Sequence, residues 1–273
     1  MSEPKQPLPD YEDPPVIETL LGVQFSPLQS FSIIHLGLCW NQIRSEYPNQ
    51  EIKPPLIPTF EEFEPQPGTV AKIGIGSAPE PDVRCWFIDP TSTQLIQVQK
   101  DRFIRNWRKT HRDQSYPRYR NLKPRFEADW GRFCAFLRKE NIGSPEVNQC
   151  EVTYVNHIEL GRGWESYAET YKVIRLLSPP PPSGFLRQPE IVHINTSYSL
   201  PDKRGMLHIV VQPVVSRLLG KEVLQFTLTA RGKPASATAE GLSDWFDLGH
   251  EWIVRGFADL TTREMHREWG QRS

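Results

Sequence analysis

"EIVHINTSYSLPDKRGMLHIVVQPVVSRLLGKEVLQFTLTA", residues 190–230, is the stretch from which the fold is read. Three runs rich in β-branched and apolar residues, "EIVHINTSYSL", "GMLHIVVQPVVS" and "EVLQFTLTA", are parted only by Pro201–Gly205 and Leu219–Lys221. Breaks that short join antiparallel neighbours, because a parallel return needs a crossover of a dozen residues or more. The three runs predict an antiparallel meander.

Downstream, Leu242, Trp245, Phe246, Gly249, Trp252, Ile253, Gly256 and Phe257 recur at i, i+3, i+4, i+7, which predicts a helix. A glycine inside a helix costs roughly 1 kcal/mol relative to alanine. Gly249 and Gly256 on the packed face therefore predict close approach to a sheet, and Gly37 is expected to do the same in an earlier helix. Upstream, "CEVTYVNHIEL" (Cys150–Leu160) reads as a strand with Val152, Tyr154 and Asn156 on one face. Trp164, Tyr167, Tyr171 and Ile174 have helical spacing and stop at the prolines of 179–182.

The first half has the same order. "VIETLLGVQF" (Val16–Phe25) reads as a strand, and Phe31–Tyr47 as a helix after Ser30. "DVRCWFID" and "TQLIQVQKD" flank a Pro90-Thr91-Ser92 turn. Leu122, Phe126, Trp130, Phe133 and Leu137 form a helical stripe ended by Asn141 and Gly143. "KPPLIPTFEEFEPQPGT" (53–69) reads as a surface loop. The expectation is an α+β fold of two similar β-α-β-β-β-α halves, 16–145 and 146–273, packed as one unit after a disordered Pro-rich 1–15. Together they would form a curved, mainly antiparallel sheet with helices on one face.

Composition narrows the class. At 38% apolar residues with 8 Trp, 8 Tyr and 13 Phe, the chain is globular. No apolar run approaches the roughly 20 residues of a membrane span, and "MSEPKQPLPDYEDPP" lacks the plan of a secretory signal. Cys39, Cys85, Cys134 and Cys150 are widely spaced, as reduced thiols of a cytoplasmic protein would be. The net charge is −1 but unevenly spread. Residues 1–99 hold thirteen acids and five bases, whereas 100–125 hold ten bases and two acids. Such a block can bind an anion locally.

Four phrases occur together: "PPVIETLLGVQFSPL", "DRFIRNWRK…YPRY…F…W", "CEVTYVNHIEL" and "DLGHEWIVRGFADLTTREMHREWG". In this combination, over nearly the whole chain, the sequence resembles a sporadically distributed family of uncharacterised bacterial cytoplasmic proteins of about this length. The resemblance implies one family-wide architecture and brings no catalytic residues. Sporadic distribution points to defence or toxin–antitoxin loci.

Motifs for phosphate loops, zinc proteases, serine hydrolases and dinucleotide folds are lacking. No catalytic, metal or cofactor site is assigned. The basic block carries the candidate ligand site: Arg102, Arg105, Asn106, Trp107, Arg108, Lys109, Arg118, Tyr119 and Arg120. Arginine forks grip phosphates or carboxylates, and aromatic rings stack on bases. Read as one long strand, "TQLIQVQKDRFIRNW" places Gln97, Gln99, Arg105 and Trp107 on one face, and Arg102 and Ile104 on the other. Gln97, Gln99, His157, His193 and His208 are candidates for a polar sheet face. The competing structural reading has the basic side chains neutralised within the fold, by acids such as Glu61.

Function then divides three ways. The first is a non-catalytic protein holding a nucleic acid or nucleotide. The second is an antitoxin-like or regulatory module binding a partner protein from the same locus, with "TTREMHREWGQR" as one contact surface. The third is an enzyme with scattered site residues such as His157, His193 and Glu159, or His250 as a base. Oligomeric state is open.

Overall fold

A computed structural model describes residues 6–61, 82–179, 185–186 and 189–272. In chain order these form β1 (Val16–Phe25), α1 (Ile33–Ile43), β2 (Asn49–Lys53), β3 (Arg84–Ile88), β4 (Gln94–Gln99), β5 (Arg102–Arg108) and α2 (Tyr119–Lys139). Then come β6 (Val147–Glu159), β7 (Ile194–Ser199), β8 (Gly205–Ser216), β9 (Lys221–Gly232), α3 (Ala239–Leu260) and α4 (Arg263–Glu268). Among the described residues the strands make one open antiparallel sheet in the order β2-β3-β4-β5-β1-β6-β9-β8-β7. From the central β1–β6 pair the order runs β5, β4, β3, β2 to one side and β9, β8, β7 to the other.

The meander is found as β7-β8-β9, with Ser197 opposite His208 and His208 opposite Thr229. Alternation sends Leu207, Ile209, Val211, Phe226, Leu228 and Ala230 to a buried face, on which α3 lies. Fully burying a side chain of this size contributes roughly 1.5–3 kcal/mol. Thr238 caps α3, its hydroxyl accepting from Gly241 N at 3.1 Å. A Cβ on Gly256 would lie 2.8 Å from Leu207 Cδ2, and one on Gly249 would lie 3.4 Å from Ala230 Cβ. Both glycines mark the expected close approach. Gly37 does not, since nothing lies within 4 Å of its Cβ position.

α2 packs on the same face of the other half. Phe103 stacks on Phe133 with ring centroids 5.2 Å apart, and Phe126 meets Phe246 of α3 at 4.7 Å. Asn141 takes a φ of 55° and closes α2, with Ile142 N donating to Leu137 O at 2.9 Å.

Several expectations need correction. "TQLIQVQKDRFIRNW" is a hairpin, β4 turning at Lys100-Asp101 into β5, with Gln99 opposite Arg102. The two-residue turn reverses which positions share a face. The stripe at Trp164–Ile174 supplies only a 3-10 turn, Tyr167–Lys172, because Trp164 leaves it to sit fully buried with Nε1 donating to Glu159 O at 2.9 Å. β2 falls between the expected helix, which ends at Tyr47, and the expected loop, which begins at Lys53; it is an edge strand against β3 that periodicity did not predict. Of the 1–15 segment, residues 6–15 are described. Tyr11 is buried at 5% exposure against Phe257, His266 and Trp269 and bridges to Gln271, which differs from a disordered terminus. No helix among the described residues is long and apolar enough to cross a membrane.

Candidate functional site

The hairpin turn divides the basic block between the two sides of the sheet. Arg105 and Trp107 face the helices and are buried at 5% and 2% exposure, which corrects their expected place on an open ligand face. Arg105 Nε donates to Asp129 Oδ2 at 2.7 Å, and Trp107 packs on Tyr116 at 5.6 Å. Arg102 and Asn106 reach the opposite side instead, a helix-free face in that it carries no helix among the described residues. There Gln97 Nε2 donates to Asn106 Oδ1, and Asn106 Nδ2 to Glu18 Oε1, both at 2.7 Å. Arg108 Nε donates to Ser92 O at 2.7 Å, and Lys109 lines a small cavity beside His157 and Glu159. Lys100 pairs with Asp82 and Lys123 with Asp247. Most of the block is thus satisfied within the fold, although Glu61 pairs with Arg231 and His208 rather than with it.

Gln97, Gln99, His157 and His208 do share the helix-free face. His157 bonds Ser216 and Gln225, and His208 bonds Ser197 and Glu61. His193 stands exposed in the coil before β7. β9 and β8 separate it from β6, a gap of roughly 14 Å at three strand spacings. His157, His193 and Glu159 therefore do not converge. No group of three metal-ligating side chains gathers among the described residues.

Arg118, Tyr119 and Arg120 come together at a different place, a cavity of about 720 Å³ on the helix side. Its floor is Tyr154 and Asn156 of β6 with Leu228 of β9, its wall is α3, and residues 6–11 run along its rim. Tyr116 and Tyr154 share a hydroxyl–hydroxyl bond of 2.6 Å, and Tyr154 Oη lies 3.1 Å from His250 Nδ1. Tyr119 lies flat on the His250 ring, with centroids 3.8 Å apart and planes 12° apart, and its hydroxyl donates to Asp247 at 3.0 Å. Burial pushes the His250 imidazole down to about 4 against the pull of Asp247, so it is neutral at pH 7. Burial likewise raises the hydroxyls of Tyr116, Tyr119 and Tyr154 above the usual tyrosine range. The cavity offers neutral rings and hydroxyls, suited to a flat ligand with hydrogen-bonding edges.

At the rim four arginines (118, 120, 255 and 272) meet Asp10, Asp247 and Glu251. Arg118 donates to Asp10 at 2.9 Å, Arg255 to Glu251 at 2.9 Å, and Asp247 takes Lys123 at 2.7 Å. Arg120 is exposed and has no hydrogen bond or ion pair among the described residues. It is the surplus cation of the rim.

Tyr116, Tyr154 and His250 were not singled out together by sequence. The available signal was the tyrosine pair of "YPRY" and a histidine on the border of an apolar helix stripe. No family model matches the chain, and neither a curated protein nor a solved structure is found similar to it.

Proposed function

We propose that the protein is a non-catalytic binding protein for a small, ring-bearing anion of the nucleotide class, held in the cavity between Tyr154, Tyr119 and α3. The observation that carries this reading is Arg120, unpaired among the described residues, at the rim of a 720 Å³ cavity walled by neutral tyrosines and His250. That volume lies in the range of small-molecule sites, which pair an apolar wall with a few placed polar groups. A ring enters against the tyrosines while its phosphate meets Arg120. A long nucleic acid is less favoured, because the basic block is split between two faces and largely paired. The four unbridged cysteines agree with the cytoplasmic setting of this proposal.

Calorimetric titration with adenosine monophosphate at low salt tests it. Binding is expected, at least tenfold weaker in Arg120→Glu, with a salt slope near one as for a single phosphate contact. Absence of binding by any mononucleotide at millimolar concentration, or equal binding by Arg120→Glu, overturns it. Tight binding of single-stranded RNA with a slope of several would favour the polymer reading instead.

We propose also that the two halves arose by duplication. In support, β1-β5-β4-β3 and β6-β9-β8-β7 occupy corresponding places outward from the centre, and α2 and α3 follow corresponding strands. The 3-10 turn in place of α1, and the extra strand β2, are then divergences. An experimental structure in which α2 and α3 cross their strands at unrelated angles would refute this.

A further inference from the structure

The helix-free face is crossed by the chain itself. Residues 56–61 run over the strands from β4 to β8, and side chains of the sheet hold their backbone. Gln99 grips Leu56 at two points: Leu56 N donates to its Oε1 at 2.9 Å, and its Nε2 donates to Leu56 O at 3.0 Å. Gln24 grips Thr59 in the same way, at 2.9 Å and 3.2 Å. Between the grips, Arg102 Nη2 donates to Ile57 O at 3.2 Å. At the far end Glu61 receives Arg231 at 3.1 Å and His208 at 2.9 Å. Two amides reading main chain three residues apart, then a clasp for a carboxylate, recognise an extended peptide. The side chains of Ile57 and Phe60 point away, at 84% and 57% exposure. Pro54, Pro55 and Pro58 limit the segment to extended conformations.

The segment is an incomplete occupant. A cavity of about 340 Å³ lies between it and the sheet. Three residues of that lining each carry a buried polar atom with no hydrogen-bond partner among the described residues: Arg84 at Nε, Arg102 at Nε and Gln149 at Oε1. An unsatisfied buried polar atom costs about 1–3 kcal/mol. The lining carries three guanidinium groups, Arg84, Arg102 and Arg231, against one carboxylate, Glu151, which Arg231 takes at 2.7 Å, so this pocket favours an anion; burial and the nearby Arg102 charge lower the Arg84 pKa accordingly. Gln149 meets the same anion once its amide is turned to present Nε2.

We infer that the helix-free face is a docking seat for an extended segment of a partner protein, one with a carboxylate side chain that reaches Arg84 and Arg102. Residues 56–61 hold the seat until that segment displaces them. A tethered occupant competes at an effective concentration in the millimolar range, so a free peptide binds the intact chain weakly. This inference is independent of the helix-side cavity.

The test uses the full chain and three labelled synthetic peptides: PPLIPTFE, which copies residues 54–61, PPEIPTFE, with a carboxylate at the Leu56 place, and PPLEPTFE, with one at the outward-pointing Ile57 place. Fluorescence anisotropy is read on the natural chain and on Glu61→Ala, which loses the carboxylate clasp. Every peptide is expected to bind Glu61→Ala at least tenfold more tightly than the natural chain. PPEIPTFE is expected to bind tenfold more tightly than the copy, and PPLEPTFE no more tightly than it. Arg102→Gln should remove that second gain. Equal binding by both chains, or no gain from PPEIPTFE over the copy, overturns the proposal. Hydrogen exchange on the natural chain needs no variant. The amides of Leu56 and Thr59 should exchange at least a hundredfold faster than those of Val23 and Val152. Equal protection makes the segment a fixed part of the fold and also overturns the proposal.

Discussion

Arg105 Nε lies 2.7 Å from Asp129 Oδ2, with 5% and 4% of the two side chains exposed. This pair joins β5 to α2 beneath the sheet, and Asp129 also receives Arg132, which in turn holds Glu46 at 2.5 Å. It explains why a sequence so rich in arginine presents so little free charge at this point.

Removing one partner leaves the other charge buried alone. Asp129→Ala is expected to destabilise the fold by about 3–5 kcal/mol in urea unfolding, whereas Arg105→Met with Asp129→Leu should recover most of that loss. Equal destabilisation by the single and double variants would show that the pair's geometry, rather than the unpaired charge, matters.

His250 makes stability depend on pH. Its folded value, about 4, lies below the ordinary 6.5, so the folded state resists a proton that the unfolded chain accepts. The contribution is fully present above pH 6.5, is lost as pH falls toward 4, and amounts to about 3 kcal/mol. His157 and His266 are shifted in the same direction by burial. Urea midpoints measured from pH 8 to pH 4 should fall less steeply for His250→Phe than for the natural chain.

Gly232 sits opposite Gly205 at the end of the β8–β9 ladder. A Cβ there would stand 2.0 Å from Arg204 O, a backbone atom with no rotamer to yield. Gly232→Ala should cost about 1–3 kcal/mol, the range of overpacking. A thermal midpoint within a degree of the natural chain's would contradict this.

Trp164 is fully buried, with its ring 5.7 Å from Tyr167 and its indole nitrogen bonded to Glu159 O. Trp164→Ala should lower stability by about 3–5 kcal/mol through the cavity it leaves. Trp164→Phe should lose less, keeping most of the volume and forfeiting the hydrogen bond.

Burial pushes the Cys39 thiol up to about 12 and those of Cys85 and Cys134 to about 11. Iodoacetamide at pH 8 should label the native chain slowly and all four cysteines rapidly in denaturant. Mass spectrometry reads both rates.

Periodicity was informative wherever one face of an element is apolar over several turns or strand repeats. The meander, α2 and α3 all follow from it, and so do the places of Gly249 and Gly256. It failed at Trp164–Ile174, where helical spacing is local and Trp164 is drawn away by its own buried seat. Glycine spacing alone misled at Gly37, where nothing lies within 4 Å of the Cβ position.

What the amino-acid sequence determined by itself is the α+β class, the antiparallel sheet, and the presence of a dense arginine and tyrosine segment. These rest on composition and on repeats of two and 3.6 residues, which are local properties of the chain. Tertiary structure alone decided where each side chain of that segment goes. The two-residue turn at Lys100-Asp101 reverses the facing of every residue after it, since side chains alternate in a strand. Long-range neighbours then set each role: Asp129 buries Arg105, the segment at 56–61 occupies Arg102, and α3 carries His250 to Tyr119. Contacts across 24, 45 and 131 positions leave no periodic trace in the chain.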